Sequence, residues 1–173
     1  MTEKQENILE AALRLFASEG YNATSTKKVA IEAGVSEGLI FRHFGNKEGL
    51  LQAILNLGKE RFHKVYANIV LQSDPKEVIK KAILMLFEVP EEEYAFWKLQ
   101  FKLKWELELV DHEKMAPLLL SLSNAFKELG YSNPEMEAKL LLHIHDGLAT
   151  AILMGRNVDK EKMKDFLLEK YNV

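Results

Sequence analysis

The stretch Thr24 to Glu48, TSTKKVAIEAGVSEGLIFRHFGNKE, requires the chain to start, stop and restart a helix within very few residues, and few folds accommodate that. Thr24, Ser25 and Thr26 offer hydroxyls that can accept from the free N–H groups of a helix start, and Val29, Ala30 and Ala33 then fall on one face of the helix that follows. Those inward side chains are small, so a second helix can cross close to the first. Gly34 directly behind them tolerates the left-handed backbone that ends a helix and turns the chain sharply. Val35 fills the corner, Ser36 is placed to cap the next helix, and Ile40 and Phe44 at i and i+4 face inward. Glu37, Gly38, Phe41 and Arg42 are left on the opposite side, and Asn46 is placed to cap a third helix that begins at Lys47.

An outward face with a glycine, a ring and a guanidinium suits a helix lying in the major groove of DNA. Gly38 permits close approach, and Arg42 can fork onto guanine or a phosphate. His43 stands beside that face as a polar spacer or phosphate donor. Lys47, with the free N–H groups of the third helix's first turn, offers a phosphate clamp. Thr24, Ser25, Thr26 and Lys27 at the start of the first motif helix, with Ser36, complete the candidate DNA contacts. The net charge of −3 argues against nucleic acid, because counterion release from phosphates needs Lys and Arg. The local balance reverses that argument. Between Thr24 and Lys47, Lys27, Lys28, Arg42 and Lys47 outnumber Glu32 and Glu37, while acid gathers at Glu91, Glu92, Glu93, Glu106, Glu108 and Asp111. A weakly basic face on an acidic body implies modest affinity per subunit and predicts that two subunits bind together.

Up to Leu50 the chain resembles the TetR family of one-component bacterial transcriptional regulators. The family pattern is a threonine-rich helix start, Ile/Val-Ala, Ala-Gly-Val-Ser, a glycine, an aromatic, His/Tyr-Phe and Lys-Glu-x-Leu. It is met by Thr24, Val29-Ala30, Ala33-Gly34-Val35-Ser36, Gly38, Phe41, His43-Phe44 and Lys47-Glu48-x-Leu50. Phe41 stands where tyrosine is common, so ring packing is carried over without a phosphate-bonding hydroxyl, and Leu39 stands where threonine is frequent. The resemblance implies an all-α fold, with a three-helix helix-turn-helix DNA-binding domain over 1–48 joined to a helical-bundle regulatory and dimerisation domain over 49–173. It implies a repressor held on a palindromic operator in double-stranded DNA and released by a small apolar ligand, the signal passing along the long helix behind the motif. Homodimerisation is expected through the last two helices, where Asp146-Gly147-Leu148-Ala149 resembles the family's Asp-Gly-Leu segment. Leu148, Ala149 and Ile152 with small Gly147 and Ala151 permit close helix approach there. The alternative is a helical DNA-associated or partner-binding module without ligand response.

The rest of the chain reads as helix. With 173 residues and 47% hydrophobic content it can bury a real core. The absence of cysteine excludes a disulfide framework and thiolate-held zinc. No stretch is apolar enough for a secretory signal or a membrane span, so a cytoplasmic protein without membrane partners is expected. Thr2 with Gln5 makes a capping box ahead of a stripe of Ile8, Ala12, Leu15 and Phe16 that Gly20 ends. A long helix carrying Leu50, Leu51, Ile54, Leu57, Phe62, Val65, Ile69 and Val70 ends near Ser73. Asp74-Pro75-Lys76-Glu77, Pro90 with three glutamates, Asn133-Pro134-Glu135 and Asp159 open further helices.

Residues Leu99 to Leu109, LQFKLKWELEL, alternate apolar and polar with the period of a strand. No partner strand is evident and the residues are good helix formers, so a helix is predicted. Tyr94, Trp97, Phe101 and Trp105 then share one face, and Phe96, Leu99, Leu103 and Val110 the other. A helix apolar on two sides within a bundle is core or the wall of a cavity. The ligand-binding candidates are Tyr94, Trp97, Phe101 and Trp105, joined by Met115, Phe126 and His143, with Met85, Phe87 and Met154 as further wall. His143 and His145 point about 200° apart on a helix and cannot chelate together. Glu60-Arg61-Phe62-His63 matches half of a di-iron signature with no second copy. Without a phosphate loop, nucleophile motif or paired metal motif, neither enzyme activity, cofactor nor metal is expected.

Overall fold

The computed structural model describes residues 1–106 and 112–173, and side chains outside 104–114. The described residues form nine α-helices and no strand: α1 (Glu3–Glu19), α2 (Thr26–Glu32), α3 (Glu37–Phe44), α4 (Lys47–Val70), α5 (Pro75–Phe87), α6 (Tyr94–Glu106), α7 (His112–Glu128), α8 (Pro134–Leu153) and α9 (Lys160–Tyr171). Their starts follow local chemistry. Thr2 Oγ1 accepts from Gln5 N at 3.4 Å while Gln5 Oε1 accepts from Thr2 N at 2.8 Å, which closes the capping box of α1. Asp74, Asn133 and Asp159 accept from Lys76, Met136 and Lys162 N–H groups at 2.9, 3.4 and 3.2 Å to open α5, α8 and α9. Pro90 behaves differently. The three glutamates after it form a 3-10 turn, Glu91–Glu93, and α6 starts only at Tyr94.

Contacts divide the chain into two compact units. The first comprises Met1–Arg61 and Glu92–Glu108. Ile8, Ala12 and Phe16 of α1, Val29 and Ala30 of α2, Ile40 of α3 and Leu50, Leu51 and Ile54 of α4 build its core. Leu99 and Leu103 of α6 complete it, both almost wholly buried. Thus a segment that the sequence assigns to the body beyond residue 48 packs against α1, in the same unit as the motif helices. The same pair explains why the period-two stretch is helical. Spaced at i and i+4, Leu99 and Leu103 lie one turn apart on the buried face of α6. Val110, expected on that face, lies outside the described residues. A glycine permits α6 to come close to α4: a Cβ at Gly58 would stand 2.6 Å from the Gln100 side chain, whose Nε2 donates to Ile54 O at 3.2 Å.

The second unit comprises Phe62–Glu91 and Leu109–Val173. Ile69 of α4, Val78, Ile79 and Ile83 of α5, Leu118, Leu122 and Phe126 of α7, Leu141 of α8 and Leu167 of α9 fill its core. α4 therefore serves both units, its first half through Ile54 and its second through Ile69. In α8, Ala149 and Ile152, expected on a dimer face, are buried within the chain itself. Among the described residues no helix is long and apolar enough to cross a membrane.

Candidate nucleic-acid interface

The turn between α2 and α3 is built as its residues dictate. Ser25 caps α2, its hydroxyl accepting from Lys28 N at 3.2 Å. Gly34 adopts φ +65° behind it, and Val35 N donates back to Ala30 O at 3.0 Å. α3 then starts after Ser36, whose carbonyl accepts from Leu39 N at 3.0 Å. The Ser36 hydroxyl makes no capping bond, against expectation, and Ser36 is exposed. Ile40 anchors α3 in the core, so the opposite face must point out: Gly38 and Arg42 are exposed and Phe41 keeps 47% of its surface in solvent. A Cβ on Gly38 would meet nothing within 4 Å, so that part of α3 can be approached closely. Asn46 caps α4 as expected, its Oδ1 accepting from Gly49 N at 2.8 Å.

Several expected DNA contacts do different work. Thr24 is only 1% exposed, and its hydroxyl donates to Gly20 O at 2.9 Å, so it ties the α1–α2 link together instead of facing a partner. The run of three hydroxyls is thus split by burial: Ser25 caps, Thr24 turns in, and Thr26 donates to Glu37 Oε1 at 2.6 Å. His43 is half-buried with Nδ1 3.4 Å from Gln5 Nε2, which makes it a tie between α3 and α1. Lys47 reaches back over the Tyr21 ring, Nζ 4.3 Å from its centroid and 3.4 Å from Asn22 O. Burial, with the Glu48 charge second, holds the Tyr21 hydroxyl above its ordinary value.

Charge is redistributed by pairing. Lys28 Nζ sits 2.5 Å from Glu19, and Glu32 lies 3.5 Å from Arg14, so neither contributes a free charge to this face. Lys27 and Arg42 are exposed and form no ion pair among the described residues. The surface offered by α2 and α3 is therefore small: two free cations, the Phe41 ring, the Ser25 and Ser36 positions, and the Thr26–Glu37 pair.

The expected ligand wall draws its residues from both units. Tyr94, Trp97 and Phe101 belong to the first unit and Met115, Phe126 and His143 to the second. Trp97 is 9% exposed, its Nε1 donates to Glu93 Oε2 at 3.0 Å, and its ring meets Phe96 edge-on at 5.1 Å. Glu93 is also 3.5 Å from Arg61, whose guanidinium lies 4.3 Å over the Phe96 ring. That network ties α4 to α6 and accounts for Trp97 without a ligand. Phe126 is core, fully buried with its ring 4.9 Å from Tyr131 and 5.4 Å from Tyr171. His143 is exposed, on the outer side of α8, because inward positions of that helix are taken by Leu141, Ala149 and Ile152. Tyr94, Phe101 and Met115 are half-buried, and the Trp105 side chain lies outside the described residues.

A polar group that the sequence hid is Tyr66, masked by the apolar run of α4. Its hydroxyl donates to the Met115 sulphur at 3.1 Å, and burial, with Asp146 second, pushes it well above the ordinary tyrosine value. Also hidden was the outward stripe of α8: Met136, Leu140 and Met154 are exposed, as is Phe166 on α9. Spacings of four and fourteen keep these residues on one helical face, but only packing shows which of two apolar faces stays outside.

Residues 8–54 match the N-terminal model of the bacterial regulatory proteins of the tetR family. YuxN, an HTH-type transcriptional regulator of Bacillus subtilis (strain 168), is 36% identical over 103 residues, which are 59% of this chain and 35% of that protein. AcnR, an HTH-type transcriptional repressor of Corynebacterium glutamicum, is 38% identical over 64 residues, 37% of this chain and 34% of that protein. The chain thus spans about a third of the length of these curated relatives. A solved transcriptional regulator from Saccharomonospora viridis, in complex with choline, shares the fold with TM-score 0.77 at 21% identity, over 98% of this chain and 95% of that one. The fatty acid degradation regulator FadR from Bacillus halodurans does so with TM-score 0.69 at 23% identity, over 98% and 94%. At such identities the likeness shows the fold, a helix-turn-helix domain followed by a helical domain.

Proposed function

We propose, from the premise that this chain carries the N-terminal domain of the tetR family at residues 8–54, that it is a sequence-specific DNA-binding transcriptional regulator. The reading is of a repressor that holds a palindromic operator as a homodimer and leaves it when a small apolar ligand binds the helical domain. The outward face of α3 carries the proposal. Phe41 and Arg42 are held out by a helix anchored through Ile40, and both are exposed, Arg42 with no ion pair among the described residues. A solvent-exposed ring and a guanidinium in no ion pair among the described residues are suited at that place to a groove of base edges and phosphates. Ser25, Lys27, Ser36, Gly38 and Lys47 are the supporting contacts.

Dimerisation is supported by α8 and α9. Ile144, Gly147, Leu148, Met163, Phe166 and Leu167 line an open apolar groove between these helices. A Cβ on Gly147 would meet nothing, so a second helix can approach there without a clash. An apolar face of this kind is unfavourable in water and suits a two-fold contact with a second copy. Two readers one helical turn of DNA apart then double a weak single contact.

Selection of bound sites from random duplexes tests the reading. A palindromic consensus, bound with a steep dependence on salt, is the expected result, and equal affinity for all duplexes would reduce the protein to a DNA-associated module. For the ligand, the neighbour that holds choline and the neighbour named for fatty acid degradation suggest two chemistries to screen, quaternary amines and acyl chains. A compound that changes Trp97 and Trp105 fluorescence and releases the operator supports induction. If no compound does both, ligand response is dropped.

A further inference from the structure

We infer that Glu37 reads a cytosine in each operator half-site and that Thr26 holds its carboxylate in register, an inference that rests on the DNA-binding reading above. Glu37 is the first residue of α3, the end of a recognition helix that meets base edges. A carboxylate aimed at a polyanion is repelled, so its presence there calls for a reason. A favourable interaction with the helix N-terminus is one. That interaction needs no partner on another helix, yet Thr26 on α2 donates its hydroxyl proton to Glu37 Oε1 at 2.6 Å. The bond crosses the motif and leaves a long side chain half-buried in one position while Gly38 and Arg42 beside it are exposed.

The consequence is chemical. With Oε1 engaged, the carboxylate presents Oε2, which can only accept. In the major groove guanine shows two acceptors and thymine one, and both repel it. Adenine offers its N6 amine, but with the N7 acceptor next to it. Cytosine offers its N4 amine alone, which makes it the base best matched to a fixed carboxylate. Gly38, with open space where a Cβ would stand, lets the base edge approach beside Glu37. Thr26 gives its single proton to Glu37 and so acts here as a positioning residue.

Site selection from random duplexes, run on the wild type, Glu37→Gln, Thr26→Val and Thr26→Ser with thermal unfolding measured alongside, tests this. The wild type is expected to select a palindrome with cytosine at one position of each half-site. Glu37→Gln should lower the cytosine preference at that position roughly tenfold and move it to bases that show acceptors, because with Oε1 still accepting from Thr26 the carboxamide presents its Nε2 donor. Thr26→Val should flatten the preference at the same position and leave the others, and Thr26→Ser should restore it. An unchanged consensus with Glu37→Gln overturns the inference while leaving the DNA-binding reading intact. A Thr26→Val protein that loses affinity equally for all sequences overturns the role of Thr26. If Thr26→Val does not fold, the near-isosteric Glu37→Gln decides alone. A wild type that selects no consensus overturns the reading and the inference together.

Discussion

Helices α3 and α6 belong to the same compact unit and both mix rings with charges, but they dispose of them in opposite ways. In α3 the ring and the cation point outward, Phe41 half in solvent and Arg42 in no ion pair among the described residues. In α6, Phe96 and Trp97 are buried, and the indole N–H is engaged by Glu93, itself paired with Arg61. A side chain with a full set of internal partners is explained by the fold. A ring and a cation held out side by side are available to an external partner. The contrast also separates the two functional readings: the proposed DNA face rests on exposed groups with no ion pair among the described residues, whereas Trp97 and Phe126 of the expected ligand wall have partners inside the protein.

The largest effect that can break this comparison is on α6. Leu99→Ala removes a wholly buried side chain from the core shared by α1 and α6 and should cost about 2 to 5 kcal/mol in denaturant unfolding. A loss below about 1 kcal/mol would mean that α6 is not part of the reader's core. On α3 the reverse pattern is expected. Arg42→Ala should weaken specific DNA binding by about 1 to 3 kcal/mol and relax one base position, with the unfolding midpoint unchanged. An unaltered affinity and salt slope would remove Arg42 from the interface.

Trp97→Phe sharpens the comparison further. It deletes the 3.0 Å bond to Glu93 and should lower stability by about 1 kcal/mol, leaving operator affinity in the absence of ligand as it was. If stability holds but a ligand response disappears, Trp97 belongs to a binding wall after all. The smallest effect concerns Lys47, which lies between the two classes, resting over Tyr21 yet next to the motif. Lys47→Ala should lower the slope of log affinity against log salt by about one and keep the consensus. A changed consensus with an unchanged slope would show that it reads a base.

What was legible in the sequence has a common character: the determining atoms lie within a few residues of each other. The capping pairs Thr2/Gln5, Asp74/Lys76, Asn133/Met136 and Asp159/Lys162, the left-handed Gly34 and the cap from Asn46 are local, and each stands where the residue types require. The helix-turn-helix and its outward Gly38, Phe41 and Arg42 follow from those stops and starts together with the inward spacing of Ile40 and Phe44. Side-chain direction at the ends of helices did not follow. Thr24, Ser25 and Thr26 are chemically alike, and only the packing of α1 and α3 around them decides that the first turns in, the second caps and the third holds Glu37. His43 reads as a polar spacer or phosphate donor and Lys28 as a free charge until Gln5 and Glu19, outside the motif, are brought beside them. α6 and α8 each carry apolar residues on more than one side, and periodicity cannot rank two such faces. The tertiary structure ranks them by what is near: Leu99 and Leu103 of α6 join the core that α1 helps to build, Ala149 and Ile152 are buried within the chain, and Met136, Leu140 and Phe166 are left facing water because no element among the described residues covers them.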